Sequence, residues 1–545
     1  LPEIKIDSRH FLKLGVSEDV SNSQFLNSLC QKGFDDLNLK LTSNITEYKT
    51  RVKSELKTLR DLGFIDYIIL NWDILNYCHE NNIPTGPGRG SAAGSLVLFL
   101  IGVTRIDPVK HNLFFERFVS KSRAKKTMHK GITYLDGSLL ADIDNDISYE
   151  KRKLVIQYIE KKHPSRTAKI LTLNKLSSKL CIKECGKIVA GLSESDVNEI
   201  SGYISKKHGV TASLKESYDL EPLFKDWCDK NPSAYKIALK IEKLNKNTGV
   251  HPSGIAISNQ EIESLCPLQL TNDGDIVTAY DMNWVAELMV KFDVLGLRTL
   301  SVIHNTCDSI SIKASDIDVE SPDVYNLLCE NVDKPHGIFQ IEAQTDHRVC
   351  KKILPKNIEQ LSAVLAIARP GAIEFLENYY RYASSGEFQS IHPFFDKILE
   401  PTGGIPLYQE QLMQMIVAVG FTLDEAEQVR RIIGKKKAAE MAKWKNKIDQ
   451  KISDNGLDES IGSILWSVAE DSANYSFNKS HSLAYATISA MTIYLKFKHT
   501  KEFFISLLKM TEFEPNPQEE IDIISRELKN IGIPLLAPNL YKSEM

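Results

Sequence analysis

The sequence predicts a multidomain α+β fold, and three observations carry that expectation. At 545 residues the chain is too long for one hydrophobic core and should divide into about three or four domains. Two stretches read as strands, one around the run Ala-Asp-Ile-Asp-Asn-Asp-Ile at 141–147 and one through 254–257 and 289–293. A lysine-rich helical stretch separates them, and helical periodicity dominates both ends of the chain.

Taken in order, residues 1–80 are mostly helical, with Leu56, Leu59, Leu62 and Ile65 spaced for one buried face. The turn Gly86-Pro87-Gly88-Arg89-Gly90-Ser91 breaks that pattern, and the small apolar run 92–101 predicts a buried helix capped by Ser91. The aspartate strand follows, then a helix over 149–162. Residues 166–245 read as a separate small helical domain. Strands return from about Gly249, and from about Thr299 onward the chain is helical again, with amphipathic stretches from Gln409 and over 484–508.

Composition narrows the function classes. A net charge of -4 gives no overall nucleic-acid signal, so any basic surface is local, as in the cation-rich run 121–130. The nine cysteines include no Cys-x-x-Cys pair, and Cys181 and Cys185 have no partnering histidines; neither zinc nor a disulfide framework is expected, and a reducing cytosol fits. No apolar run reaches the ~20 residues of a membrane helix. The opening on Leu1, with no methionine or signal peptide, suggests a processed product or an excised piece.

The aspartates carry the chemistry. On a strand Asp142, Asp144 and Asp146 share one face while Ile143 and Ile147 lie on the other, so three carboxylates crowd together and call for a hard divalent cation. A calcium loop of the EF-hand kind is excluded, because its glycine and glutamate positions hold Ile147 and Lys153. Asp293, on a strand with Lys291 on the same face, offers a third carboxylate for two metals about 3.5–4 Å apart, with the lysine available for a phosphate. The glycine turn lacks the Gly-Lys-Ser/Thr ending of a nucleotide-binding P-loop, yet its backbone could cradle a phosphate.

Two further stretches suit nucleotides. The helix opening at Thr422 with Glu425 reads as a capping box, which puts Arg430 and Arg431 on the helix and Lys435, Lys436 and Lys437 at its end. Paired arginines match polyphosphate oxygens. The segment 474–485 mixes aromatic and hydrogen-bonding side chains at the start of another helix, as base stacking requires.

In this order the motifs resemble the C-family of bacterial replicative DNA polymerases, the DNA polymerase III alpha subunits. The resemblance rests on Gly86-Pro87-Gly88-Arg89-Gly90-Ser91, Phe115-Glu116-Arg117-Phe118, the aspartate run, His251-Pro252-Ser253-Gly254, residues 291–299, Ala368-Arg369-Pro370-Gly371, Tyr408-Gln409-Glu410-Gln411, residues 430–437 and residues 477–485. It spans nearly the whole chain. Departures are Ala141 in place of the family's proline and Pro252-Ser253 in place of Ala-Gly.

The resemblance implies a palm of the polymerase-beta-like nucleotidyltransferase type with a helical thumb and large, mostly helical fingers. It places the palm at 1–165 and 246–298, the thumb at 166–245 and the fingers at 299–545, ending about where a duplex-binding domain would begin. It implies template-directed synthesis from dNTPs on primer-template DNA in a bacterial or phage-infected cytoplasm, by two Mg²⁺ ions with Mn²⁺ as a substitute. Asp144, Asp146 and Asp293 become the catalytic metal ligands, with Asp142 as a supporting neighbour. Gly90, Ser91, Arg117, Lys291, Arg430 and Arg431 hold the triphosphate, and His251, Asn478, Lys479 and His481 lie near the nucleotide or template. Lys435, Lys436 and Lys437 are candidates for DNA-backbone contact.

The family's phosphoesterase-like domain and clamp-binding tail have no counterpart in the sequence, and no exonuclease-type acidic set is evident. Neither proofreading nor high processivity is expected, and a phage-encoded version or an excised core would fit. Two other classes compete: a catalytically silent DNA-binding remnant, and a ribonucleotide polymerase. Loops of the latter kind carry glycine between their later aspartates, where this chain has Asn145.

Overall fold

The computed structural model describes residues 4–121, 126–129, 132–135, 142–207, 210–271, 274–435, 438–537 and 539. The chain is a mixed α/β protein of two compact units, one formed by Leu1–Pro164 with Phe292–Met545 and the other by Ser165–Lys291.

The first unit opens on the helices Ser8–Leu14, Asn22–Asp36, Ile45–Leu62 and Ile65–Glu80. Ser21 and Gln24 form a reciprocal capping box at the start of the second, satisfying N–H groups that a helix start leaves unpaired. Ile68, Ile69, Leu70, Ile74 and Leu75 bury the fourth helix nearly all round. The run after the glycine turn is not one helix. Ala92–Gly94 forms a single 3₁₀ turn and the α-helix is Leu96–Leu100, capped by Ser95 rather than Ser91.

Tertiary contacts decide that start. The buried Glu55 carboxylate accepts from Ser95 Oγ at 2.9 Å and from the N–H groups of Leu96 and Val97 at 3.1 Å each, and Arg51 Nε donates to it at 2.9 Å. The positive end of this helix is therefore already matched to an anion of the protein itself.

The aspartate strand, Asp144–Ser148, pairs in parallel with Val290–Leu297. The following helix is Arg152–Lys162, three residues shorter at its start than the sequence pattern suggests. From Arg298 the unit is helical. Its longest helix, Lys479–Lys498, runs through a core of Leu361, Val364, Ile367, Tyr379 and Leu407, while a second core gathers Phe395, Leu412, Met413, Ile416, Val429 and Trp444. The expected stretch 484–508 is two helices, because Lys479–Lys498 ends at His499 and Thr500–Met510 begins anew.

Lys496 lies in this buried helix with no exposed side-chain surface, donating to the Lys334 and His336 carbonyls at 2.6 Å each and paired with Glu527. Burial lowers its pKa from 10.5 to about 8, against the pull of Glu527. Its folded pKa lies below the unfolded one, so between these values the unfolded chain binds more protons and this group's contribution rises with pH. The stability of the parent relative to Lys496→Met is accordingly expected to increase from pH 8 to 10.5 in paired chemical-denaturation curves. A constant difference would show that the ammonium does not titrate in this window.

The second unit corrects the wholly helical expectation for 166–245. It opens on the strand Thr167–Lys175, antiparallel to Asn245–Ile257 and parallel to Ile276–Asp281, which pairs antiparallel with Leu268–Leu270. Ala168 and Ile170 face the interior, so alternate burial selects a strand despite the flanking lysines. The helices between Ser178 and Ile241 pack on Cys181, Ile182, Leu214, Phe224 and Trp227. All nine cysteines are free, and no helix among the described residues is long and apolar enough to cross a membrane.

Candidate active site

The parallel pairing sets Asp293 directly beside Asp144, with backbones about 4.8 Å apart. Asp146 follows two residues on, on the same face as Asp144. Asp142 is exposed and precedes the strand. On the opposite face Ile147 is fully buried, and Asn145 donates to Asn71 Oδ1 at 3.3 Å.

The glycine turn lies antiparallel along the aspartate strand. Gly86 N–H donates to the Asp146 carbonyl at 2.8 Å, Ser148 N–H to the Pro84 carbonyl at 2.9 Å, and Arg89 bridges to Asp144 through the backbone. So close an approach requires glycine. Gly90 has φ +72°, and a Cβ there would stand 3.0 Å from Asp144 Oδ2. Gly90→Ala is expected to lower stability by about 1–2 kcal/mol, read as a drop in melting temperature, because a non-glycine residue is strained there.

Arg89 then reaches across both carboxylates. Its Nη1 lies 3.1 Å from Asp144 Oδ2 and its Nε donates to Asp146 Oδ1, also at 3.1 Å. Burial pushes the Asp144 carboxyl up to about 6; Arg89 opposes the rise, while Asp293, Asp142 and Asp146 add to it. Burial likewise raises Asp146 against Arg89. One guanidinium therefore only partly offsets the acidic group.

The donor set fits a hard divalent cation: carboxylate oxygens only, crowded, with negative charge in excess. Among the described residues no three His, Cys, Asp or Glu side chains converge as a ready cage. Arg89 already takes one oxygen from each of Asp144 and Asp146.

A second cluster gathers arginines. Arg117, on the short helix Phe115–Phe118, donates through Nε and Nη2 to Gln409 Oε1 at 3.1 and 2.8 Å. Arg430, on Leu423–Gly434, grips the buried Glu427 carboxylate at 2.7 and 2.8 Å and reaches the same Gln409 oxygen at 3.4 Å. Glu427 also lies 4.0 Å from Arg117. Thr422 and Glu425 form the capping box expected for this helix. Arg431 is half-buried on it, exposed Lys435 is its C-cap, and Lys436 and Lys437 lie outside the described residues.

The segment before Lys479–Lys498 is largely a helix start. Asn478 caps it by accepting from His481 N–H at 3.2 Å. Lys479 N–H donates to Glu410 Oε2 at 2.9 Å, and its ammonium donates to the His111 carbonyl at 3.1 Å and pairs with Glu359 at 3.2 Å. His481 packs between Phe477 and Tyr485, at ring separations of 5.6 and 4.4 Å. Burial, with Arg89 and Arg369 adding, lowers His481 to about 4, so its imidazole is neutral at pH 7. Tyr485 is raised to about 12 by burial, then by Asp146, with Arg89 opposing.

In the other unit, Lys291 stands two residues before Asp293 on the strand Val290–Leu297. His251 lies at a register irregularity of the strand Asn245–Ile257, its Nδ1 accepting from Gly254 N–H at 2.7 Å. Arg89, Gln409 and Glu427 were given no individual role by the sequence, and Tyr485 entered only as part of the aromatic segment 474–485. Three of them stand inside recognised motifs, and Glu427 could have been found as the residue three before Arg430 on one helix face.

Two family models match the chain: the bacterial DNA polymerase III alpha NTPase domain over residues 24–296, and the bacterial DNA polymerase III alpha subunit finger domain over residues 299–456. The DNA polymerase III subunit alpha of Aquifex aeolicus is 32% identical, the alignment covering 100% of this chain and 48% of the relative. Its counterparts in Campylobacter jejuni and Thermus aquaticus are 33% and 31% identical, covering 94% and 90% of this chain and 43% and 40% of theirs. The chain thus spans about half the length of these relatives or less.

Proposed function

Because the chain belongs to the bacterial DNA polymerase III alpha family, we propose that it performs template-directed DNA synthesis, joining dNTP-derived nucleotides to a primer 3′-hydroxyl with release of pyrophosphate. The observation that carries this reading is the placement of Asp144 beside Asp293 in parallel register, with Asp146 on the same face under the glycine turn. On this reading the palm is 1–165 with 246–298, the thumb 166–245 and the fingers 299–545, and the enzyme works on primer-template DNA in the cytoplasm.

Asp144, Asp146 and Asp293 are the residues to hold two Mg²⁺, with Mn²⁺ as a substitute. When bound, these ions supply the positive charge that lowers the pKa of the attacking hydroxyl and stabilises the leaving pyrophosphate. Arg89 pairs with one oxygen each of Asp144 and Asp146, and a cation held by these carboxylates would share them with it. Arg117 and Arg430, aligned by Gln409 and Glu427, present guanidinium forks to the triphosphate, with Arg431, Lys291, Gly90 and Ser91 as further contacts. The neutral His481 ring and Tyr485, near Arg89, offer a surface for the base or sugar. Asn478 and Lys479 are proposed to lie near the nucleotide or template, as is His251 on the family resemblance, and Lys435, Lys436 and Lys437 suit the DNA backbone.

Extension of a labelled primer-template with Mg²⁺, comparing dNTPs with NTPs, tests the proposal. Elongation with dNTPs that stops in EDTA is the expected result. DNA binding without incorporation would mark a silent remnant, and preferential use of NTPs a ribonucleotide polymerase.

A further inference from the structure

Arg89 is fixed by its backbone and adjustable only in its side chain. The backbone bridge to Asp144 and the positive φ of the flanking glycines, +79° at Gly88 and +72° at Gly90, set the turn around it. A Cβ at Gly88 would come within 2.6 Å of the Thr104 side chain, so the turn is packed tightly against its neighbour. The guanidinium, by contrast, meets solvent on one side. The Arg89 side chain is 20% exposed, and Nη2, the nitrogen that neither aspartate takes, has no hydrogen-bond partner among the described residues.

The two carboxylates under this guanidinium are not equally open. The Asp144 side chain is 21% exposed and that of Asp146 only 1%. Among the described residues Arg89 is the side chain that hydrogen-bonds Asp146. A cation coming from solvent therefore meets Asp144 first, and Arg89 stands between it and the Asp146 oxygen. We propose that Arg89 gates Asp146: its guanidinium serves as the resident counterion of the pair, and its sharing with an incoming divalent ion ends with the guanidinium turned toward solvent and the Asp146 oxygen on the ion. The proposal rests on the reading of these carboxylates as the cation site. The exchange is unequal in charge, since a divalent ion brings two positive charges where the guanidinium brings one, while the departing guanidinium regains water. The carboxylates are thus offset from within, and an ion competes with that internal partner before both serve it.

Mn²⁺ binding to the intact chain, read from the loss of the free-ion spin-resonance signal without DNA or nucleotide, tests the proposal. Arg89→Met should bind about tenfold more tightly than the parent, because a positive charge beside the ion is gone, and Arg89→Lys, which keeps the charge, should stay within about threefold of it. Thermal melts give a second readout. In EDTA Arg89→Met should melt below the parent, and saturating Mn²⁺ should raise it by more than it raises the parent. Should Arg89→Met not fold, Arg89→Gln, which keeps one donor for Asp146, carries the same expectations. Asp144→Asn should weaken binding in the parent and in Arg89→Met alike; unchanged binding would remove the cation site itself, and the proposal with it. Binding that depends on Asp144 but is no tighter in Arg89→Met, or is as tight in Arg89→Lys as in Arg89→Met, would overturn the gate alone.

Discussion

Asp144→Asn and Asp293→Asn are each expected to lower primer extension by roughly a thousandfold or more, because each removes a ligand charge from the proposed cation site. The fold should survive both changes. Asp144 is held near 6 by burial and by the like charges around it, so an amide of the same shape removes an electrostatic liability. Arg89 keeps its contact with Asp146 after Asp144→Asn. Single-turnover extension in Mg²⁺ beside a thermal melt is the measurement. Full activity in either variant would sink the assignment of these carboxylates, and a collapsed melt would show that they serve the fold instead.

Glu427→Ala should have the largest effect on stability, about 3–5 kcal/mol, because it leaves two poorly exposed guanidiniums without their shared anion. Glu427 itself has no exposed side-chain surface, so solvent cannot replace what it gives Arg430. The same change should raise the KM for dNTP, since Arg117 and Arg430 would no longer be held in alignment. Adding Arg430→Met to Glu427→Ala should recover part of the lost stability by removing the unpaired charge, without restoring KM. Chemical denaturation of the three proteins reads the first effect. A single variant within 1 kcal/mol of the parent would show that water or Gln409 compensates for the lost anion.

Much of the local structure was legible because short-range physics writes it. Period-two alternation put Asp144 and Asp146 on one face, and Thr422 with Glu425 marked a helix start to the residue. Expectations failed where a distant partner intervened. Ser91 looks like a cap in sequence, but Glu55, forty residues before Ser95, draws the helix start to Ser95 and Leu96. The strand Thr167–Lys175 stands at the head of a lysine-rich helical stretch that hides it, and pairing with Asn245–Ile257 selects it over a helix.

The sequence by itself determined the carboxylate face, the glycine turn, the arginine helix and, through their order, the resemblance to a family. Each rests on neighbours a few residues apart, where helix and strand periods leave little choice. Only the tertiary structure decided which charges meet: Arg89 across Asp144 and Asp146, Gln409 on Arg117 at a separation of 292 residues, and Glu410 with one oxygen unpartnered. Such meetings depend on how packed elements close on one another, and no local period in the chain encodes that closure.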